Sequence, residues 1–156
     1  MKISLNLVML VMVSTVFSQS EKAVNWLNFK QLEDSLHVQP KKVFIDFYAN
    51  WCSACIKMQK EVFTDTLIID LLNKDYYAVK MNVETQDTIS FGKQVFINKR
   101  LNKRNPIHQI PLLMARQKNK PFSLPALVFL DEKFQAKARY FQYLNVKQLS
   151  KILSDQ

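Results

Sequence analysis

The sequence predicts an α/β fold in which a central mixed β-sheet is flanked by helices. In "KKVFIDFYAN" an almost continuous apolar run from Val43 to Tyr48 has the pattern of a strand buried on both faces. Directly after it, "CIKMQKEVFTDTLIIDLLNKD" places Ile56, Met58, Val62 and Phe63, then Leu67, Ile68, Leu71 and Leu72, at helical spacings. Further on, "ALVFL" supplies a second short apolar strand. The chain has 156 residues, is 48% hydrophobic and holds eleven Phe, so one domain with a substantial core is within its means.

The opening "MKISLNLVMLVMVSTVFSQS" reads as a secretory signal peptide over residues 1–20. Lys2 supplies the positive end, Leu5 to Phe17 the apolar stretch, and Ser18 and Ser20 the small residues before a cut ahead of Glu21. The rival is an uncleaved anchor. Ser4, Asn6, Ser14 and Thr15 dilute the run, which falls short of the roughly 20 apolar residues that span a bilayer. Residues 21–156 are therefore expected to form one exported domain, with no stable membrane insertion after cleavage.

The remaining elements follow in order. After the strand in "YAVKMNV", the alternation in "TISFGKQVFIN" predicts a hairpin turning at Gly92-Lys93, with Ile89, Phe91 and Phe96 on one face. A basic loop, "NKRLNKRNP", precedes a helix in "IHQIPLLMARQKN" that starts or kinks at Pro111. Together these make an insertion at about residues 86–120. A strand is expected at Ala126 to Leu130, a turn at Asp131 and Glu132, a strand around Ala138 to Phe141, and a helix from Val146 to Leu153 capped by Asn145. No segment repeats, and no low-complexity linker divides the chain.

The chemistry concentrates in "ANWCSACIKM", which holds the only two cysteines, Cys52 and Cys55. A structural staple is a poor use of them, because closing so short a loop removes little unfolded-state entropy and the core is large enough without it. Zinc would need two further ligands, and His37 and His108, read as ordinary surface or helix-end residues, do not form a second ligand pair; no metal or other cofactor is expected. What remains is reversible redox chemistry. The pair lies where a central strand hands over to a helix, at the carboxyl end where open α/β sheets place their sites. Residues i and i+3 of a helical turn have Cβ atoms about 5–6 Å apart, close to disulfide geometry. Cys52, at the exposed helix start, is the expected nucleophile and Cys55, one turn inside, the resolving thiol. Helix-terminal N–H groups favour the thiolate of Cys52.

Asp46 is a carboxylate inside the apolar strand, six residues before Cys52. Its burial predicts a raised pKa, and the functional reading is a proton acceptor that helps deprotonate Cys55. The structural alternative is an aspartate hydrogen-bonded locally at a strand end.

These residues carry a resemblance. "VFIDFYANWCSAC" resembles the active-site strand and turn of the thioredoxin superfamily, with Asp46 at the family's buried aspartate and Trp51 at its active-site tryptophan. "FSLPALVFLDE" is similar to the segment in which a cis-proline precedes a core strand, which would set Pro125 facing the cysteines. More specifically, the "K-x-x-x-E" phrase in "IKMQKEVF" and the "W-x-x-F" phrase from Trp26 to Phe29 resemble secreted thioredoxin-like proteins and the C-terminal domain of DsbD thiol-disulfide interchange proteins. The likeness covers residues 24–83 and 121–155 well and the segment between them poorly. It implies a thioredoxin-like fold, with attack by Cys52, resolution by Cys55 and proton transfer assisted by Asp46. The backbone of Leu124, before Pro125, would pair with an extended substrate segment. Trp51 would contact substrate, or else serve as core. Ser53-Ala54 departs from the Gly-Pro of thioredoxins, and Leu124 replaces a small or β-branched residue.

The net charge is +9, with Lys99, Arg100, Lys103 and Arg104 clustered in one loop. No nucleic-acid recognition motif accompanies it. The loop is a solvated surface or meets an acidic protein partner or an anionic membrane surface. The expected function is thiol-disulfide oxidoreduction in the cell envelope, in the reductase or isomerase direction, by a monomer. Its partners would be disulfide-containing proteins and an upstream thiol-disulfide electron donor or acceptor. The alternative is a redox-independent binding or chaperone-like module of the same fold.

Overall fold

A computed structural model describes residues 22–155, so the expected signal peptide at 1–20 lies outside the described residues. The elements run β1 (Trp26–Leu27), α1 (Phe29–Val38), β2 (Lys42–Tyr48), α2 (Ser53–Glu61), α3 (Thr66–Asp75) and β3 (Tyr76–Asn82). They continue as β4 (Ile89–Phe91), β5 (Gln94–Phe96), α4 (Gln109–Met114), β6 (Ala126–Leu130), β7 (Ala136–Tyr140) and α5 (Val146–Asp155). The central sheet has the order β1-β3-β2-β6-β7, with β1 and β2 parallel to β3 and with β6 and β7 antiparallel additions. That is the expected mixed sheet.

Alternation along β2 divides the core. Val43, Ile45 and Phe47 join the cluster containing Phe29, Leu32 and Val128, beneath α1. Phe44 turns the other way, into the cluster of Met58, Ile68, Leu72 and Leu149 from α2, α3 and α5. Each fully buried side chain of this size contributes about 1.5–3 kcal/mol, so both layers are strongly held. Period-two alternation puts Asp46 on the Phe44 side, under α2.

The expected helical stretch after the cysteines is two helices. Asp65 accepts a hydrogen bond from the Leu67 amide and caps α3, breaking the run after Val62. The break rotates the second segment, so Leu67 faces outward while Ile68, Ile69 and Leu72 are buried; Ile56, in α2, is also exposed. α1 starts with a capping box between Asn28 and Gln31, and Asn145 with Gln148 forms the same reciprocal pair before α5.

The insertion docks onto the α1 side. Gly92 and Lys93 have φ of 60° and 61° at the hairpin tip, the left-handed pair that a type I′ turn requires. Phe91 packs edge-on against Phe29 at 5.4 Å between ring centres, and the Gly92 amide donates to Glu33 Oε1 at 2.8 Å. The helix expected around Pro111 is short, because it begins only at Gln109 and ends before Ala115. His108 corrects the surface reading: it caps α4 but is 0% exposed, with Nδ1 accepting from the Ile110 amide and Nε2 donating to the Asp87 carbonyl.

Candidate functional site

β2 ends at Tyr48, and the chain turns through Ala49, whose carbonyl accepts from the Cys52 amide at 3.1 Å. Cys52 then takes the N-cap position of α2 with extended backbone angles. Its Sγ accepts from the Cys55 amide at 3.1 Å and forms a disulfide with Cys55, with S–S 2.09 Å and Cα–Cα 5.2 Å. The sulfur that sits at the helix start therefore receives a backbone N–H in the strongest part of the helix dipole. Cys52 is less open than its position at the helix start suggests. It is 5% exposed, because as N-cap its side chain folds back over the first turn and joins the apolar cluster with Cys55 and Ala126.

Asp46 is 1% exposed, and its Oδ2 has no hydrogen-bond partner among the described residues. The local hydrogen-bonding alternative is thus not what holds this oxygen. Burial pushes the carboxyl up to about 7, against an opposing pull from Lys80, its cross-strand neighbour on β3. Lys80 is itself lowered by burial, partly offset by Asp46, and its ammonium lies 4.9 Å from the Tyr48 ring centre. A carboxyl that shares its proton near neutrality can give or take one at physiological pH.

Trp51 is 67% exposed, which rules out a core role. Its indole N–H donates to Glu84 Oε1 at 2.9 Å, holding the ring beside the disulfide turn. The Leu124–Pro125 peptide is cis, at the entry to β6, whose Ala126 pairs with Phe47 of β2. Pro125 is buried and Leu124 half-buried. Between Trp51 and Leu124 lies a cleft of about 240 Å³, to which Glu84 and Phe122 also contribute. Cys52, Cys55 and Leu124 thus share one apolar cluster, Trp51 and Leu124 share the cleft, Pro125 follows Leu124 at the entry to β6, and Asp46 lies within β2, the strand that leads into the cysteine turn. Glu84 escaped sequence reading because a lone acid after a strand carries no signal until its partner, 33 positions back, is placed beside it.

A paired C-x-x-C disulfide at a strand-to-helix turn defines a disulfide oxidoreductase of thioredoxin type. The chain belongs to the thioredoxin-like domain family, which matches residues 29–156. Among curated proteins, the thiol:disulfide interchange protein DsbD of Pseudoalteromonas atlantica is 33% identical over 78 residues, 49% of this chain but only 13% of that protein. The chain therefore spans a small part of the relatives it matches. A thioredoxin from Thermus thermophilus aligns with a TM-score of 0.59 at 18% identity, over 85% of this chain and 86% of that one. The C-terminal domain of Neisseria meningitidis DsbD in its oxidised form aligns at 0.53 and 13% identity, over 81% and 90%.

Proposed function

We propose that the protein exchanges disulfides with exported proteins in the cell envelope, in the reductase or isomerase direction. The Cys52–Cys55 pair closed over the N-terminus of α2 is the observation that carries this reading. In the dithiol form the Cys52 thiolate attacks one sulfur of a substrate disulfide. A mixed disulfide forms and the second substrate sulfur leaves as a thiolate that takes up a proton. Cys55 then gives its proton to Asp46 and attacks Cys52 Sγ, releasing the first substrate sulfur and closing the protein's disulfide. The substrate gains two electrons and the protein loses two. An upstream dithiol protein returns them by the same exchange in reverse.

Leu124 and Pro125 offer an extended substrate a backbone edge, and Trp51 a flat apolar contact. The similarity to DsbD relatives and the apolar run at residues 1–20 support an envelope location with that segment removed, and a monomer fits a site built from one chain. Replacing Cys55 with Ser should trap exported proteins on Cys52 as mixed disulfides, visible as thiol-sensitive bands on non-reducing gels. Replacing Cys52 with Ser should abolish both the bands and turnover. If the Cys52→Ser protein still binds the same partners and supports the same phenotype, the chain acts as a redox-independent binding module instead.

A further inference from the structure

The insertion reaches back to the cleft lined by Trp51, the residue before Cys52. Asn105 and Ile107 line it together with Trp51, Phe122 and Leu124. This wall is firmly held. The His108 amide donates to the Val83 carbonyl at 2.8 Å, which fixes the chain directly after Ile107 to the segment that follows β3. Asn98, buried among exposed neighbours, donates from Nδ2 to the Thr85 carbonyl at 3.1 Å and to that of Pro106, while its Oδ1 accepts from the Arg100 amide at 3.0 Å. One side chain thus closes the base of the basic loop. A turn bond from the Lys103 amide to the Arg100 carbonyl at 2.8 Å gathers Lys99, Arg100, Lys103 and Arg104 into one exposed group. Among the described residues no carboxylate pairs with any of the four. Arg104 is bonded directly to Asn105, so this cationic group adjoins the cleft's rim.

We propose that residues 98–108 are a substrate-selecting wall, specific for extended segments that carry a large apolar residue beside the reacting cysteine and acidic residues beyond it. The inference rests on the exchange reaction proposed at Cys52. Trp51, Ile107, Phe122 and Leu124 give the cleft apolar walls against which a leucine side chain buries more surface than alanine does. Glu84 at the same rim repels an acid placed inside the cleft. The unpaired cations attract acids placed outside it. Apolar and acidic preferences are therefore set at different distances from the cysteine.

The test uses short peptides whose single cysteine is joined by a disulfide to a chromogenic aryl thiol. They carry leucine or alanine beside the cysteine, and an aspartate-rich or lysine-rich tail. Attack by Cys52 on the peptide sulfur expels the aryl thiolate, and Cys55 then releases the peptide thiolate. Rates are measured for the pre-reduced protein, with the symmetrical aryl disulfide as a peptide-free control. Leucine should be favoured over alanine by about tenfold. Acidic tails should be favoured over basic ones by about tenfold at low salt, a preference that shrinks as ionic strength rises. Within each variant the ratios are compared with each other. Ile107→Ala should lower the leucine preference, and joint replacement of the four loop cations by glutamine should bring the tail ratio close to one. Equal rates for all peptides, or ratios unchanged in these variants, while the control disulfide is reduced, would overturn the wall and leave the exchange reaction standing. No reaction with any disulfide, the control included, would overturn the exchange reaction and the wall with it.

Discussion

Replacing Asp46 with Asn should reshape the pH dependence of stability. Asp46 is buried with an unpartnered Oδ2, and burial raises its carboxyl from the ordinary 3.8 to about 7. The folded protein thus binds this proton more tightly than the unfolded chain does. The resulting stabilisation is complete below 3.8 and is lost as pH rises through about 7. With about 1.4 kcal/mol for each pH unit between those values, the loss comes to about 4 kcal/mol. Asparagine does not titrate, so the stability gap between the variant and the natural protein should shift by about 4 kcal/mol in the variant's favour from about pH 4 to pH 8. Urea unfolding of both oxidised proteins across that range measures it, since taking the difference cancels the titrating groups that do not interact with Asp46. Parallel curves would refute the reasoning, because they would mean that Asp46 titrates like an ordinary aspartate.

His108 should behave in the opposite sense. Burial lowers its imidazole below 6.5, so the stability it supplies is present above that value and is lost as pH falls through the folded pKa. An NMR titration should find the ring's midpoint below the ordinary 6.5, and His108→Ala should destabilise by about 1–3 kcal/mol through the loss of two buried hydrogen bonds. Gly92→Ala should cost about 1 kcal/mol in denaturant unfolding. A Cβ there meets nothing within 4 Å, so the penalty comes from φ of +60° alone. Glu84→Ala should free the Trp51 indole and change its fluorescence, whereas Glu84→Gln should retain the bond and the spectrum.

The sheet and the C-x-x-C turn were readable because buried strands leave continuous apolar runs and the turn is strictly local. β2 and β6 match the expected runs to within a residue. The Gly92-Lys93 hairpin is there because few residue pairs other than Gly and its neighbours tolerate the left-handed turn. Other features depend on distant partners. Periodicity carried through Val62 to Leu67, yet Asp65 could cap α3 and break the helix, a local signal outweighed by the apolar count. His108 and Asn98 are polar residues in a polar stretch. Only the return of the insertion to the end of β3 buries them, so neither composition nor spacing marks them.

The reduction potential of the Cys52/Cys55 pair tests the central claim most directly. It is measured by equilibrating the protein against defined dithiol and glutathione buffers and counting free thiols. A pair that passes electrons to exported proteins should lie near the thioredoxin value of about −270 mV. A potential below about −300 mV would mark a structural bridge and contradict exchange, while one near about −120 mV would mark an oxidant and contradict the reductase direction.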